Sequence, residues 1–213
     1  MDIHHSKKIV FRQVGNPEPI FAFDEFGFAT LNTMYSIVIN DRTYEYPYLL
    51  AILNSSLTKS FFLSKYSDGK QLFPKIKGFQ LKELPIKIVD EMTQSQLIEK
   101  ANQMLDLNKE LQEKKNTFLN RLKDNFELDR ISNKVDAFYN FDFKTLLSEL
   151  KKRKVMLSLI QQDEWEEYFM AYKTEINALQ AQINQTDNEI DQLVDELYGL
   201  TQDEIKIVEE ASV

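Results

Sequence analysis

Lysines crowd one stretch of the chain: Lys59, Lys65, Lys70, Lys75, Lys77, Lys82 and Lys87 lie close together, with only Asp68 and Glu83 against them. Tyr66, Gln71 and Phe73 are interleaved. Ammonium groups at this density suit the salt-dependent neutralisation of nucleic-acid phosphates. A glutamine among them could read adenine through a bidentate contact in the major groove. Gly69 and Gly78 would let the backbone approach a groove closely. The plainer alternative is a solvated lysine surface, the usual fate of this residue type.

Other chemistry is sparse. His4 and His5 are adjacent near a terminus, with no obvious third ligand at a metal-binding spacing. Glu149 with Lys151 and Glu204 with Lys206 give Glu-x-Lys pairs of the kind found in metal-dependent nucleases. In helices rich in both residues such pairs arise by chance. The five glycines at 15, 27, 69, 78 and 199 are too scattered for a phosphate-cradling loop. The absence of cysteine excludes a disulfide frame and thiolate metal sites.

The elements that must position the lysine stretch fall into two textures. Residues 7–46 carry alternating and β-branched runs, KKIVFRQV, IFAFDEFGFATLN and MYSIVIN, broken at Gly-Asn-Pro-Glu-Pro and Asn40-Asp41. They predict three or four short antiparallel strands. Pro47 suits the first turn of a helix over about 47–64. That helix would carry the polar Asn54, Ser55 and Ser56 among Leu50, Ile52, Leu53, Leu57 and Phe61. Residues 67–86 hold two Gly and two Pro and read as loop and short strand.

From about residue 93 the period becomes helical, with Thr93 or Ser95 as N-cap. Leu97, Ala101, Met104, Asn108, Leu111, Lys115, Phe118 and Leu122 form one seam. Ile176, Leu179, Ile183, Thr186, Ile190, Leu193, Leu197 and Leu200 form another, with coiled-coil spacing. The two helices are expected to pair antiparallel around a helical excursion at about 125–170. Trp165, Tyr168, Phe169 and Tyr172 sit at helical spacing and read as core. The fold class is therefore α+β: a small β-rich lobe over 1–90, then long antiparallel coiled-coil-like helices over 91–213.

Net charge is −8, but it is unevenly placed. Residues 1–88 carry a balance of +3 and the remainder −11. A basic face on the first part is compatible with an acidic chain. With no apolar run long enough to span a bilayer and no leader-like N-terminus, a cytoplasmic location is expected.

The order of segments is informative. KKIVFRQVG is followed by Leu31-Asn32-Thr33, then YPYLLAILNSSL, a Lys/Gly/aromatic loop, LKELPI, and finally Leu197-Tyr-Gly-Leu-Thr201. In this order the chain resembles the C-terminal specificity domain of Taq-like adenine-N6 DNA methyltransferases and of fused type II restriction–modification enzymes. These are relatives of the target-recognition domains of type I specificity subunits. The resemblance implies a non-catalytic specificity piece of a larger bacterial enzyme. It lacks the Asn-Pro-Pro-Tyr methylation motif and any S-adenosylmethionine loop, so that cofactor is expected only in the missing catalytic domain.

The implied partners are double-stranded DNA and a methyltransferase domain, in the same parent chain or a separate subunit, with a homodimer possible and no membrane. The implied contacts set Lys7, Lys8, Arg12, Lys65, Lys70, Lys75 and Lys77 on phosphates, and Gln71 with Tyr66 on bases. Asn54 and Ser55 would bond backbone or end a helix turn, and Leu84-Pro85-Ile86 would mark the exit into a helical spacer. Two rival readings are a coiled-coil dimerisation module without DNA, and a specificity fragment that recruits separate methyltransferase subunits.

Overall fold

The computed structural model describes residues 6–14, 20–40, 43–66 and 76–212. The chain forms two compact units, residues 1–103 with 186–213, and residues 104–185. This differs from the expected division at residue 90. The lobe draws the start of one long helix and the end of the other into its own packing.

In the first unit, β1 (Lys8–Arg12), β2 (Ala22–Asp24) and β3 (Met34–Ile37) make an antiparallel sheet in the order β2-β1-β3. Strand alternation places Ile9 and Phe11 on one face, where both are buried. Phe11 lies 4.7 Å from Phe21 and 5.5 Å from Tyr35, ring centre to ring centre. α1 (Tyr46–Asn54) starts with Pro47 in its first turn, as expected, and buries Tyr48, Leu50, Ala51, Ile52 and Leu53.

The expected single helix over 47–64 is instead two, because Ser55 is extended (φ −65°, ψ 153°) between α1 and α2 (Ser56–Tyr66). Each polar residue at the break has its own partner. The Asn54 amide donates to the Phe21 carbonyl (2.9 Å) and accepts from the Phe21 N–H (3.0 Å), as a neighbouring strand would. Ser55 donates to the Ile52 carbonyl at 2.8 Å. The Asp191 carboxylate accepts from the Ser56 N–H (2.9 Å) and hydroxyl (2.7 Å), satisfying donors at the start of α2. Asn54→Ala removes both bonds to Phe21 and is expected to cost about 1–2 kcal/mol in a urea titration, and Asn54→Asp should not recover that cost at neutral pH, because it sets an anionic oxygen against the Phe21 and Leu50 carbonyls at the end of α1.

The same unit contains α3 (Gly78–Leu81), the start of α4 (Glu91–Phe126), the end of α7 (Leu159–Tyr198), and α8 (Gln202–Ser212). Asp90, rather than Thr93 or Ser95, caps α4, its carboxylate accepting from the Thr93 N–H at 2.8 Å. That bond holds the Asp90 carboxyl below its ordinary pKa. Lys100 pairs with Glu189 at 2.6 Å. Thr186, Ile190 and Val194 are buried on α7, with Val194 rather than Leu193 fully inside.

α7 ends at Gly199, whose φ of +70° a Cβ would disfavour. The Leu200 N–H reaches back to the Asp195 carbonyl and the Gly199 N–H to that of Glu196, the paired bonds of a Schellman turn. Thr201 then begins α8, its N–H and hydroxyl both donating to the Glu204 carboxylate at 2.8 Å. The Leu-Tyr-Gly-Leu-Thr stretch is thus a helix stop joined to a helix start.

The second unit packs the rest of α4 and α7 with α5 (Asn133–Asp136), a 3-10 turn (Phe138–Asn140) and α6 (Phe143–Lys152). Lys114 pairs with Glu175 (2.6 Å), Phe118 lies against Tyr172 (5.8 Å) and Phe126 against Trp165 (5.0 Å). Positions rise along α4 as they fall along α7, so the helices run antiparallel here, as expected. Ser132 and Asp142 cap α5 and α6 with their side-chain oxygens. The expected excursion at 125–170 is indeed helical and completes an aromatic core around Phe118, Phe138 and Phe169.

Candidate nucleic-acid interface

Of the residues expected to face DNA, Lys70, Gln71 and Lys75 lie outside the described residues, and the structure disperses the others. Arg12 ends β1 and is exposed. Ile76 donates its N–H to the Gln13 carbonyl at 3.1 Å, which brings the exposed Lys77 to the same end of the sheet. Lys7 is exposed too, but it pairs with Glu25 at 2.9 Å at the opposite end of β1.

Lys65 and Tyr66 converge on Glu83, at 2.6 Å and 2.5 Å. The bond to Glu83 holds the Lys65 ammonium above its ordinary pKa, and the same two bonds, that from Lys65 foremost, hold the Glu83 carboxyl below its own. Lys65 therefore offers less net charge to a phosphate than an unpaired lysine would. Lys87, from the same basic stretch, donates to the Leu197 carbonyl at 2.7 Å near the end of α7.

Lys8 corrects the expectation outright. It is 1% exposed and sits 3.2 Å from the Asp24 carboxylate, itself buried. A phosphate cannot reach it. Lys8, Val10 and Arg12 share the sheet face opposite Ile9 and Phe11. The segment after β2 closes over the Lys8 end and leaves Arg12 free.

Asp24 organises that segment. Its carboxylate accepts from three successive backbone N–H groups, of Phe26 (3.1 Å), Gly27 (2.9 Å) and Phe28 (2.8 Å). Burial pushes the Asp24 carboxyl up, but the Lys8 ammonium and the loop N–H groups outweigh it and hold its pKa below the ordinary value. Gly27 takes φ +75°, which a side chain would resist. Further on, the Thr30 and Ser36 hydroxyls meet at 3.4 Å, and Gln13 contacts Asn32 and Thr33 through side chain and backbone.

The loop is therefore tied down at both ends while its outer side carries Phe26 (81% exposed), Phe28 (68%) and Leu31 (76%). The two Phe rings are 5.9 Å apart. Sequence reasoning missed this aromatic pair. The available signal was Asp24 followed three residues later by Gly27, with a Phe on either side of that glycine.

A cleft of about 560 Å³ lies elsewhere on the lobe, bounded by Tyr35 and Ile37 of β3, Leu49 and Leu53 of α1, and Phe79 and Ile86. Among the described residues no acid–base pair lines it. The Glu149 carboxylate of the nuclease-like pair is taken up by the Ser132 hydroxyl (2.8 Å) and Lys152 (2.6 Å), and that of Glu204 by Thr201. Among the described residues no group of three His, Asp or Glu could hold a metal ion, and no helix is long and apolar enough to cross a membrane.

Comparison with known proteins gives two family matches, over different parts of the chain. Residues 90–194 match a family described as a domain of unknown function, DUF8810. No curated protein and no solved structure matches the chain. Residues 1–86, ending at Ile86 of the Leu-Pro-Ile stretch and holding the sheet, the Asp24 loop and the basic run, match the family described as the TaqI-like C-terminal specificity domain.

Proposed function

We propose that the lobe recognises a DNA sequence on behalf of a restriction–modification enzyme whose catalysis resides elsewhere. The observation that carries this reading is the match of residues 1–86 to a specificity-domain family. The net positive balance of residues 1–88, within a chain of charge −8, agrees with it. Arg12 and Lys77, both exposed and next to the residues joined by the Ile76–Gln13 backbone bond, are the phosphate contacts of choice. The methyltransferase part, an adenine-N6 enzyme that would bring its own S-adenosylmethionine, belongs to the same parent chain or a partner subunit.

α4 and α7 serve as a spacer in this reading. Their apolar positions, Leu97 and Val194 in one unit and Leu111 and Ile176 in the other, are buried within a single chain. That favours a spacer over a seam left open for dimerisation.

Fluorescence anisotropy with a random-sequence duplex tests the proposal. The logarithm of affinity should fall linearly with the logarithm of salt concentration. Arg12→Ala and Lys77→Ala should each flatten the slope by about 0.9. Absence of salt-dependent binding at low ionic strength would count against DNA recognition by this lobe.

A further inference from the structure

The loop after β2 spends a buried ion pair and three backbone hydrogen bonds on holding two phenylalanines in water. Phe26 and Phe28 are among the most exposed large apolar side chains of the first unit. They follow immediately on Asp24, whose carboxylate fixes the backbone of both. Ordinary folding would tuck such rings into the core, as it does Phe11 and Phe21 a few residues away. A floppy loop could shed its exposed apolar surface by collapsing, whereas this one is anchored through Lys8 and Asp24 at 3.2 Å.

We propose that Phe26 and Phe28 are an aromatic wedge that stacks on base faces at an unstacked step of the bound DNA. The proposal rests on the DNA-recognition reading above and adds a contact that the basic residues do not supply. Its chemistry is the base π-face, which any base offers to a phenyl ring. Apolar wedges of this kind enter a duplex between base steps and part them.

The surroundings suit DNA. Arg12, at the far end of the same sheet face, is an exposed cation available to a phosphate of the flanking backbone. Glu25, the acidic residue next to Phe26, is paired with Lys7 at 2.9 Å, which offsets its repulsion of a phosphate backbone. Leu31, in the same loop, is also exposed. Preorganisation matters because the loop then loses little freedom on binding.

The test uses the full chain. Trp165 is the only tryptophan, so Phe26→Trp in a Trp165→Phe background places a lone indole at the wedge. Adding a random-sequence duplex at low salt should quench its emission. In anisotropy, the Phe26→Ala/Phe28→Ala double variant should bind about tenfold or more weakly with an unchanged salt slope, because stacking is lost and phosphate contacts remain. A duplex with a central mismatch, already partly unstacked, should bind the native protein more tightly than a perfect one, and the double variant should lose that preference.

Unaltered thermal unfolding, expected for such exposed side chains, separates these losses from misfolding. If the double variant keeps full affinity and mismatch preference and the indole stays bright while salt-dependent binding persists, the wedge is overturned and the patch belongs to a protein partner. If the native chain binds no DNA at all, the recognition reading falls, and the wedge with it.

Discussion

Lys8→Met is expected to lower the unfolding free energy by about 3–5 kcal/mol at neutral pH, the cost of stranding one member of a buried ion pair. Methionine matches the lysine stem in length, so packing changes little and the charge is what is lost. Asp24 would remain buried with its three backbone donors but without its counter-ion. The pH dependence has a definite sign. In the native protein the Asp24 carboxyl titrates below its ordinary value, so its contribution is present above the unfolded pKa of about 4 and is lost as pH falls through the folded value. In the variant, burial acts without the ammonium to oppose it, and the Asp24 pKa rises. Native and variant stabilities should therefore converge on acidification. Denaturant titrations at pH 7 and at about pH 4 read this directly, and a gap that stays constant with pH would show that Lys8 acts by packing rather than by charge.

That Lys8 has this role was not legible in KKIVFRQV. Alternation placed Ile9 and Phe11 inward correctly, because that pattern depends only on the strand. Whether the opposite face meets water depends on where a later loop lands, and no local pattern carries that. Asn54 and Ser55 were readable as structural, since helix-breaking polar residues in an apolar run need nearby backbone partners. Their partners Phe21 and Ile52 needed the fold for the first and only the helix for the second.

The long helices, their antiparallel course and the helical excursion between them followed from period and length. The details slipped where neighbouring positions compete: Leu107 is inside where Asn108 was expected, and Val194 where Leu193 was. A 3.6-residue period drifts against a seven-residue repeat, and a single-residue shift is enough. The candidate interface was the least legible part. Lysine density marked residues 59–87, yet Lys65 and Lys87 have protein partners, and the exposed aromatic pair lies in a segment that sequence alone assigns to strand and turn.

The aromatic core of the second unit sets the other large effect. Phe118→Ala is expected to cost about 3–5 kcal/mol, the range for emptying a large buried site. Phe118 is 0% exposed and stacks on Phe138 with ring centres 3.8 Å apart. Tyr168, Phe169 and Tyr172 surround it at 5.7–6.1 Å. Those neighbours come from two elements, the 3-10 turn and α7, so the cavity cannot close by moving one helix alone. Phe118→Leu keeps most of the volume and should cost clearly less, losing the ring contacts but not the filling. Trp165 provides the readout, since it packs edge-on to Phe118 at 6.3 Å and against Phe126 at 5.0 Å. As the only tryptophan, its emission follows this unit in a urea titration. A midpoint unchanged in Phe118→Ala would mean that the core is not organised around this ring.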